Sequence, residues 1–207
     1  IMPSLVGSEM CIRDRYRIPH NISAMKYTSE IFQRLSRGQF ISSNSINADT
    51  RAIYNDIEEN QQEYEDYFGK IDFQLSCGDG FYYFSRKEAK VIIENKLQAL
   101  FSWIGYLDFL KTYDTAFDAG TQFSLVQMEV RLATIPGLKE KLTQMFPDKT
   151  SNRQKLEALA GALENMGFAE LVNEADGTYQ VTNAFHYIEQ IILCINIDED
   201  VKDEIPQ

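Results

Sequence analysis

QEYEDYFGKIDFQLSCGDGFYYF, which runs from Gln62 to Phe84, contains an amphipathic helical pattern, a glycine and two apolar strand patterns joined by Asp-Gly. The same order of features recurs from Asn152 to Val181, in NRQKLEALAGALENMGFAELVNEADGTYQV. Asp-Gly tolerates the positive φ angles of a tight hairpin turn. Each stretch therefore predicts a helix followed by a two-stranded antiparallel hairpin, and the repetition predicts two structural units of one kind.

A helix followed by a tight hairpin is the central part of a winged helix. We therefore expect a mainly α-helical fold with small β-hairpins, an α+β class built from tandem winged-helix domains. The expected boundaries are residues 16–86 for the first domain, 87–196 for a linking helix and the second domain, and 197–207 for an acidic tail. This fold more often binds DNA or proteins than it performs covalent chemistry, so the question of function concerns partners.

The N-terminal stretch LVGSEMCIRD, from Leu5 to Asp14, can be written in codons that resemble a transposon-end adapter used for sequencing libraries. It contains neither the basic region nor the long apolar region of a signal peptide. We therefore interpret residues 1–15 as an adapter artefact and exclude them from the fold. The segment carries two acidic and two basic residues, so its removal leaves the net charge unchanged.

The composition indicates a globular protein with a packed core, because 44% of the residues are hydrophobic and 12% are aromatic. No apolar run approaches the ~20 residues that a membrane span requires. Outside the adapter segment the cysteines are Cys77 and Cys194, which are distant and unpatterned, as suits a reducing compartment. We expect a cytoplasmic, nucleoid-associated protein without membrane contact.

The net charge of −11, from 31 acidic and 20 basic residues, constrains the choice of partner. Proteins bind DNA largely through Lys and Arg side chains that neutralise phosphates. The overall field of this chain repels nucleic acid, which favours a protein partner, one that could itself be basic.

The apolar periodicity and the capping residues predict the order of the elements along the chain. Helices are expected over residues 23–35, 88–117, 123–134, 138–146 and 152–166. A further helix is expected from a cap at Asp49 or Thr50 to residue 68, with a break near Asn60, and a last one is expected after a capping Asn183. Strands are expected over residues 39–42, 71–76, 81–84, 168–172 and 178–182.

The returning strand of the first hairpin is apolar on both faces, because Phe81, Tyr82, Tyr83 and Phe84 are consecutive. One face is expected to cover the core of the first half. The other is expected to meet either the second half or a partner protein. These four residues, with Tyr179 of the second hairpin, are the candidate protein interface.

The helix over residues 152–166 is the candidate recognition helix of the second unit. It offers Arg153 and Lys155 as candidate weak DNA contacts, offset by Glu157 and Glu164. Small apolar residues in its middle suit close packing against another helix better than contact with phosphates.

No pattern in the sequence supports catalysis. The two histidines, His20 and His186, lie at opposite ends of the chain, and His186 is interpreted as a packed structural residue. No nucleophile elbow, Gly-rich phosphate loop or metal-ligand spacing is present. We expect no enzyme activity, no cofactor and no bound metal.

The chain resembles the MukE/MksE family of condensin accessory subunits, with matching order and spacing from Ser23 to Asn196. Four of the matching segments are RGQFIS at residues 37–42, EYEDYF at 63–68, NRQKL at 152–156 and TYQVT at 178–182. The other two run from Leu75 to Phe84 and from Leu163 to Gly167. The resemblance implies a tandem winged-helix homodimer that binds a MukF/MksF-like kleisin and, through it, an SMC-like ATPase that condenses or segregates chromosomes. DNA contact would then come indirectly, through the assembled complex.

Two alternatives remain open. Related SMC-like complexes with a nuclease partner restrict plasmids, and this chain alone does not distinguish the two roles. A winged-helix transcription regulator would need an exposed recognition helix with converging Arg and Lys, of which the sequence supplies Arg153 and Lys155. The candidate recognition helix is less basic than that of an enterobacterial-type MukE, which argues against direct DNA contact.

Overall fold

A computed structural model describes residues 25–85 and 90–192, and for residues 90–100 it describes the backbone alone. Several sequence-based predictions lie outside the described residues: those on the segment 1–15 interpreted as an adapter, on the acidic tail, on His20 and Cys194, and on the start of the long helix at residue 88. The description below concerns the two described ranges.

In the first half, three helices and one strand precede a hairpin of two strands. Its elements are α1 (Thr28–Leu35), β1 (Ile41–Ser42), α2 (Ala48–Glu59), α3 (Gln61–Gly69), β2 (Gln74–Gly78) and β3 (Phe81–Ser85). The strands form an antiparallel sheet in the order β1-β3-β2.

The second half repeats this order with one additional helix. Its elements are α4 (Lys90–Tyr113), β4 (Gln122–Ser124), α5 (Leu125–Arg131), α6 (Leu138–Met145), α7 (Asn152–Met166), β5 (Ala169–Asn173) and β6 (Thr178–Val181). The sheet order β4-β6-β5 corresponds to that of the first sheet, with the last strand in the middle. A final helix, α8, covers residues 185–192. The molecule is thus an α+β protein with two small antiparallel sheets.

Helix α7 has the bounds that its sequence predicts, because both of its ends carry local signals. The Ser151 hydroxyl accepts a 3.2 Å bond from the backbone N–H of Gln154, whose side chain in turn accepts from the N–H of Ser151. This reciprocal capping box satisfies two N–H groups that have no partner within the helix. At the other end Gly167 adopts φ 81°, a left-handed conformation that glycine adopts without steric cost.

Several predicted element bounds are wrong. Helix α1 begins at Thr28 instead of residue 23, β1 begins at Ile41 instead of residue 39, and α4 ends at Tyr113 instead of residue 117.

Two further element starts also differ from the prediction. The strand expected over residues 71–76 begins only at Gln74, because a turn at the end of α3 occupies residues 70–72 and Asp72 has φ 62°. The helix expected over 123–134 is preceded by a strand, β4, which pairs with β6, and α5 ends at Arg131. A three-residue strand has too short a pattern to be distinguished from a helix start.

The predicted caps also differ in part. Asp49 or Thr50 is the predicted cap of α2, but the cap is Asn47. The side-chain oxygen of Asn47 accepts hydrogen bonds from the backbone N–H groups of Asp49 and Thr50. The side-chain amide of Asn183 donates to the Ser43 hydroxyl in the first half of the chain. The Asn183 side chain, which the sequence predicts to cap the final helix, is thus engaged in a contact between the two halves of the chain.

The buried apolar residues form two clusters. The smaller contains ten residues of the first half, among them Ile31, Ile53, Tyr64 and Phe68, which are almost fully buried. The larger is built on α4–α8 and also includes Phe40 and Phe81 of the first half. The second core therefore extends into the first half, and the two halves share an interface.

Candidate functional site

The aromatic strand β3 divides its side chains between the two halves. Tyr82 packs on Tyr54, and Phe84 packs on Phe68, with ring centroids 5.2 Å and 4.8 Å apart. Phe81 and Tyr83 point the other way and both contact Tyr187 of α8. Alternation along a strand thus places two aromatic rings in the first core and two between the halves.

Phe40, just before β1, is the centre of the contact between the halves. Its ring lies 5.2 Å from that of Phe168, 4.9 Å from that of Tyr187 and 5.7 Å from that of Phe81. Aromatic pairs at these distances add to the free energy of burial. The contact is apolar at this point, and both Phe40 and Phe168 are buried.

The loop from β1 to α2 supplies the polar part of the same contact. The Asn44 side chain donates to the Val181 carbonyl at 3.2 Å and accepts from the Asn183 N–H at 2.8 Å. The Glu170 carboxylate accepts from the Ser45 hydroxyl and from the Ile46 N–H, both at 2.6 Å. This loop, residues 43–47, is hereafter called the joint loop.

The joint loop was not singled out by sequence reasoning. Its residues read as an ordinary polar connection, and their partners lie more than 120 positions away in the chain. The one available signal was an unusual density of short side chains that both donate and accept hydrogen bonds. Such a signal indicates a bonded loop but does not identify the partner.

The five residues of the candidate protein interface differ in their accessibility. Phe81 and Tyr82 are buried within the chain, whereas Tyr83, Phe84 and Tyr179 are partly accessible. Tyr179 stacks on Phe123 with ring planes 14° apart. Burial raises the pKa of Tyr179 and raises the pKa of Tyr82 to about 12. Their contact with another protein stays a prediction.

Helix α7 offers little positive charge to solvent. The guanidinium of Arg153 forms an ion pair with Glu157 at 2.8 Å, one turn along the helix. Lys155 is only 6% exposed and donates to the Thr143 hydroxyl of α6 at 3.0 Å. One of the two cations is thus paired and the other is buried, and direct DNA contact by these two residues stays a prediction.

A group of polar side chains joins α8 to the loop after α4. Asp118, His186 and Glu189 place potential metal-ligand atoms within 4.8 Å of one another. His186 Nε2 lies 3.1 Å from Asp118 Oδ1, and Lys111 Nζ lies 2.8 Å from Glu189 Oε1. The Lys111 ammonium already pairs with the Glu189 carboxylate, so these side chains form a polar network that connects α8 to α4 and to the loop after it.

Open depressions on the described surface include a cleft between the halves and a groove between two helices. A cleft of about 320 Å³ separates the halves, between α1, β1 and the start of α2 on one side and the end of α7 and β5 on the other. A groove of about 380 Å³ lies between α4 and α6 and is flanked by the exposed Phe101. Both depressions are open to solvent.

These features define an α+β protein of two repeated helix-and-hairpin units joined by an aromatic and polar contact. A family model described as condensin complex protein MksE matches residues 26–192. The chain belongs to this family and is a condensin complex protein, with a place in chromosome condensation and partition. The match confirms the family resemblance of the sequence. None of the curated proteins compared with the chain matches it.

Among the described residues, no helix combines the length and apolar composition that crossing a bilayer needs.

Proposed function

We propose that this chain is a non-catalytic accessory subunit of a bacterial SMC-like condensin complex. It forms a homodimer, binds a MukF/MksF-like kleisin and through it joins an SMC-like ATPase at the nucleoid. DNA is contacted through the assembled complex. The family match over residues 26–192 carries this proposal, because it spans both helix-and-hairpin units and the contact between them.

We further infer that each half is a winged helix. Both sheets are antiparallel and have the last strand of the unit in the middle. In each unit a helix leads directly into the outer strand of a hairpin, so α3 and α7 occupy the position of recognition helices. The wings are then β2–β3 and β5–β6, and the domain boundaries expected at residues 16–86 and 87–196 are retained as part of this proposal.

The charge on α7 favours a protein partner over DNA. Its accessible charged side chains are Arg153, Glu157 and Glu164, and the one cation among them is paired. A regulator that reads DNA needs several cations that converge on phosphates and bases. The alternative of a winged-helix transcription regulator is therefore disfavoured.

Co-expression with the neighbouring open reading frame, followed by affinity purification of this chain, tests the proposal. We expect the kleisin product to co-purify in a fixed ratio at salt concentrations that abolish non-specific contacts. A kleisin from an unrelated condensin operon is the matched control and is expected to stay unbound. Failure of the cognate kleisin to co-purify would overturn the proposed function.

A DNA-binding titration separates this subunit from a regulator. A regulator that neutralises about 6–10 phosphates loses roughly 10³–10⁵ in affinity between 50 and 200 mM salt. We expect the isolated chain to bind DNA too weakly at either salt concentration for such a dependence to be measured. A nuclease gene beside the SMC-like and kleisin genes would assign the complex to plasmid restriction instead of chromosome maintenance.

A further inference from the structure

The two described sheets have four edge strands, which differ in how well they resist pairing with a further strand. Strand β1 has two residues and β4 has three, and the register of β5 is irregular between Leu171 and Asn173. Short strands and bulges both limit the pairing of an edge. Strand β2 has five residues in unbroken register with β3, and its sequence QLSCG contains neither a proline nor a charge. Within the described residues, β2 is therefore the edge best able to accept a further strand.

The register of the first sheet shows which backbone groups of β2 point outward. In an antiparallel pair, alternate residues direct both their N–H and C=O groups to the same neighbouring strand. The Ser43 N–H donates to the Gly80 carbonyl, so the even-numbered residues of β3 face β1 and the odd-numbered ones face β2. Ser76 lies opposite an odd-numbered residue and thus faces β3, whereas the N–H and C=O groups of Leu75 and Cys77 point away from the sheet. No described residue bonds to these outward groups.

Acidic side chains lie at the Cys77 end of this edge. Burial raises the pKa of Tyr54, and the nearby carboxylates of Glu58 and Asp79 raise it further. The Cys77 thiol acts on the same tyrosine, so the end of β2 lies close to both carboxylates. Glu58 and Asp79 are exposed, and neither forms an ion pair with a described residue. A strand added beside β2 would bring alternate side chains close to these carboxylates, which favours Lys or Arg at those positions.

We propose that β2 binds an extended segment of another protein as a fourth strand of the first sheet, and that this segment carries Lys or Arg at alternate positions. Main-chain hydrogen bonds to Leu75 and Cys77 supply the affinity, and Glu58 and Asp79 select the charge of the segment. Two β2 strands paired with each other would bring like carboxylates together, which disfavours a second copy of this chain. The binding mode is independent of the proposed function, since it depends on the chemistry of the segment and not on a kleisin.

Fluorescence anisotropy with the full chain and a fluorescein-labelled peptide tests this binding mode. The peptide alternates Lys and Val over about seven residues, within the usual length of a strand. Val favours an extended backbone, and Lys supplies the positive charge. The same peptide with Glu in place of Lys is the charge control, and we expect it to bind about tenfold more weakly or worse at low salt. Equal affinities of the two peptides would overturn the inference.

Methylation of the peptide backbone separates strand addition from general attraction between a cationic peptide and an acidic protein. One peptide is N-methylated at its Lys residues and another at its Val residues, so both keep the full charge. Because successive N–H groups of a strand point to opposite sides, only one of the two rows faces β2. We expect one methylated peptide to lose about tenfold in affinity and the other to bind like the unmodified peptide. Equal affinities would show that charge alone causes the binding, and the inference would be wrong.

Cys77→Pro removes an outward N–H group and leaves the bonds between β2 and β3 in place, and an edge strand tolerates proline at such a position. We expect this variant to bind the unmodified peptide about tenfold more weakly. Cys77→Ala keeps the N–H group and is expected to bind like the wild type. Circular dichroism verifies that Cys77→Pro is folded. If it is not, the methylated peptides decide the question, because they remove the same hydrogen bonds from the other partner.

A charge reversal on α2 tests the selection of a basic segment. Glu58→Lys is expected to weaken binding of the Lys-Val peptide about threefold to tenfold at low salt. Glu59→Lys is the matched control, because it makes the same change of charge at the next exposed residue of the same helix. An equal loss in both variants would assign the effect to net charge and overturn the inference. A wild-type dimer that Cys77→Pro dissociates in analytical ultracentrifugation would assign β2 to a second copy and overturn it as well.

Discussion

The hydroxyl of Ser45 donates a 2.6 Å hydrogen bond to Oε1 of Glu170, across 125 positions of sequence. The second oxygen of the same carboxylate accepts a 2.6 Å bond from the N–H of Ile46. One side chain on β5 thereby holds the joint loop of the other half by both of its oxygens. Hydrogen bonds to an ionised acceptor are stronger than neutral ones, so this contact orients the two halves.

Glu170→Gln is expected to lower the free energy of unfolding by about 1–3 kcal/mol. Glutamine can keep its oxygen on the N–H of Ile46, but its NH₂ group then faces the Ser45 hydroxyl, which loses its acceptor, and the negative charge that strengthens both bonds is lost. Urea titration followed by circular dichroism measures the loss. The control is Glu174→Gln, an exposed residue of the turn between β5 and β6, for which we expect a change within about 0.5 kcal/mol.

Phe40→Ala is expected to be more damaging, with a loss of about 3–5 kcal/mol, because it leaves a cavity between Phe81, Phe168 and Tyr187. Urea unfolding monitored by both circular dichroism and fluorescence of the single tryptophan, Trp103, measures the loss. Trp103 lies 5.0 Å from Phe168, so its fluorescence reports on this side of the contact between the halves. An effect no larger than that of Tyr67→Ala, at an exposed aromatic residue, would contradict the role assigned to Phe40.

The stability of the protein is expected to fall in strongly alkaline solution. Burial raises the pKa of Tyr82 from 10.0 to about 12 and also raises that of Tyr64, whose hydroxyl donates to Asp56. Between these pH values the unfolded chain has released the Tyr82 proton and the folded chain still holds it. The contribution of Tyr82 is therefore fully present below about pH 10 and is lost as the pH rises through about 12.

Unfolding titrations in urea at a series of pH values measure this dependence. Tyr82→Phe cannot ionise at this position, so we expect the decline between about pH 10 and 12 to become shallower in that variant. Tyr67→Phe, at an exposed tyrosine, is the control and is expected to retain the wild-type slope. Equal slopes for wild type and Tyr82→Phe would show that other groups cause the alkaline loss.

Removal of negative charge from α7 is expected to strengthen non-specific DNA binding. The double variant Glu157→Gln, Glu164→Gln frees Arg153 from its ion pair and removes two carboxylates from one helix face. Fluorescence anisotropy at low salt is expected to show an affinity gain of about threefold to tenfold. Lys155→Met is expected to leave the affinity unchanged, because the Lys155 ammonium is buried against Thr143. A marked loss in Lys155→Met would mean that α6 and α7 separate on DNA.

The repeated units and most helix bounds were predictable from sequence, as was the family. The capping box at Ser151 and the left-handed Gly167 identify α7, and the Gly-Asp-Gly and Asp-Gly turns identify the two hairpins. These signals act over two to four residues, within reach of local hydrogen bonds and backbone preferences. The late start of β2 and the presence of β4 were missed, because a turn and a three-residue strand depend on what packs beside them.

The sequence by itself determined where the chain turns, which helices are amphipathic and that its overall field is negative, because these properties depend on neighbouring residues or on composition. The tertiary structure decided which aromatic rings are interior, that the Lys155 side chain is buried, and that Asn44, Ser45 and Glu170 join the halves. Such contacts connect residues more than 120 positions apart. Their geometry exists only after both units have folded and packed together, so no local pattern can specify it.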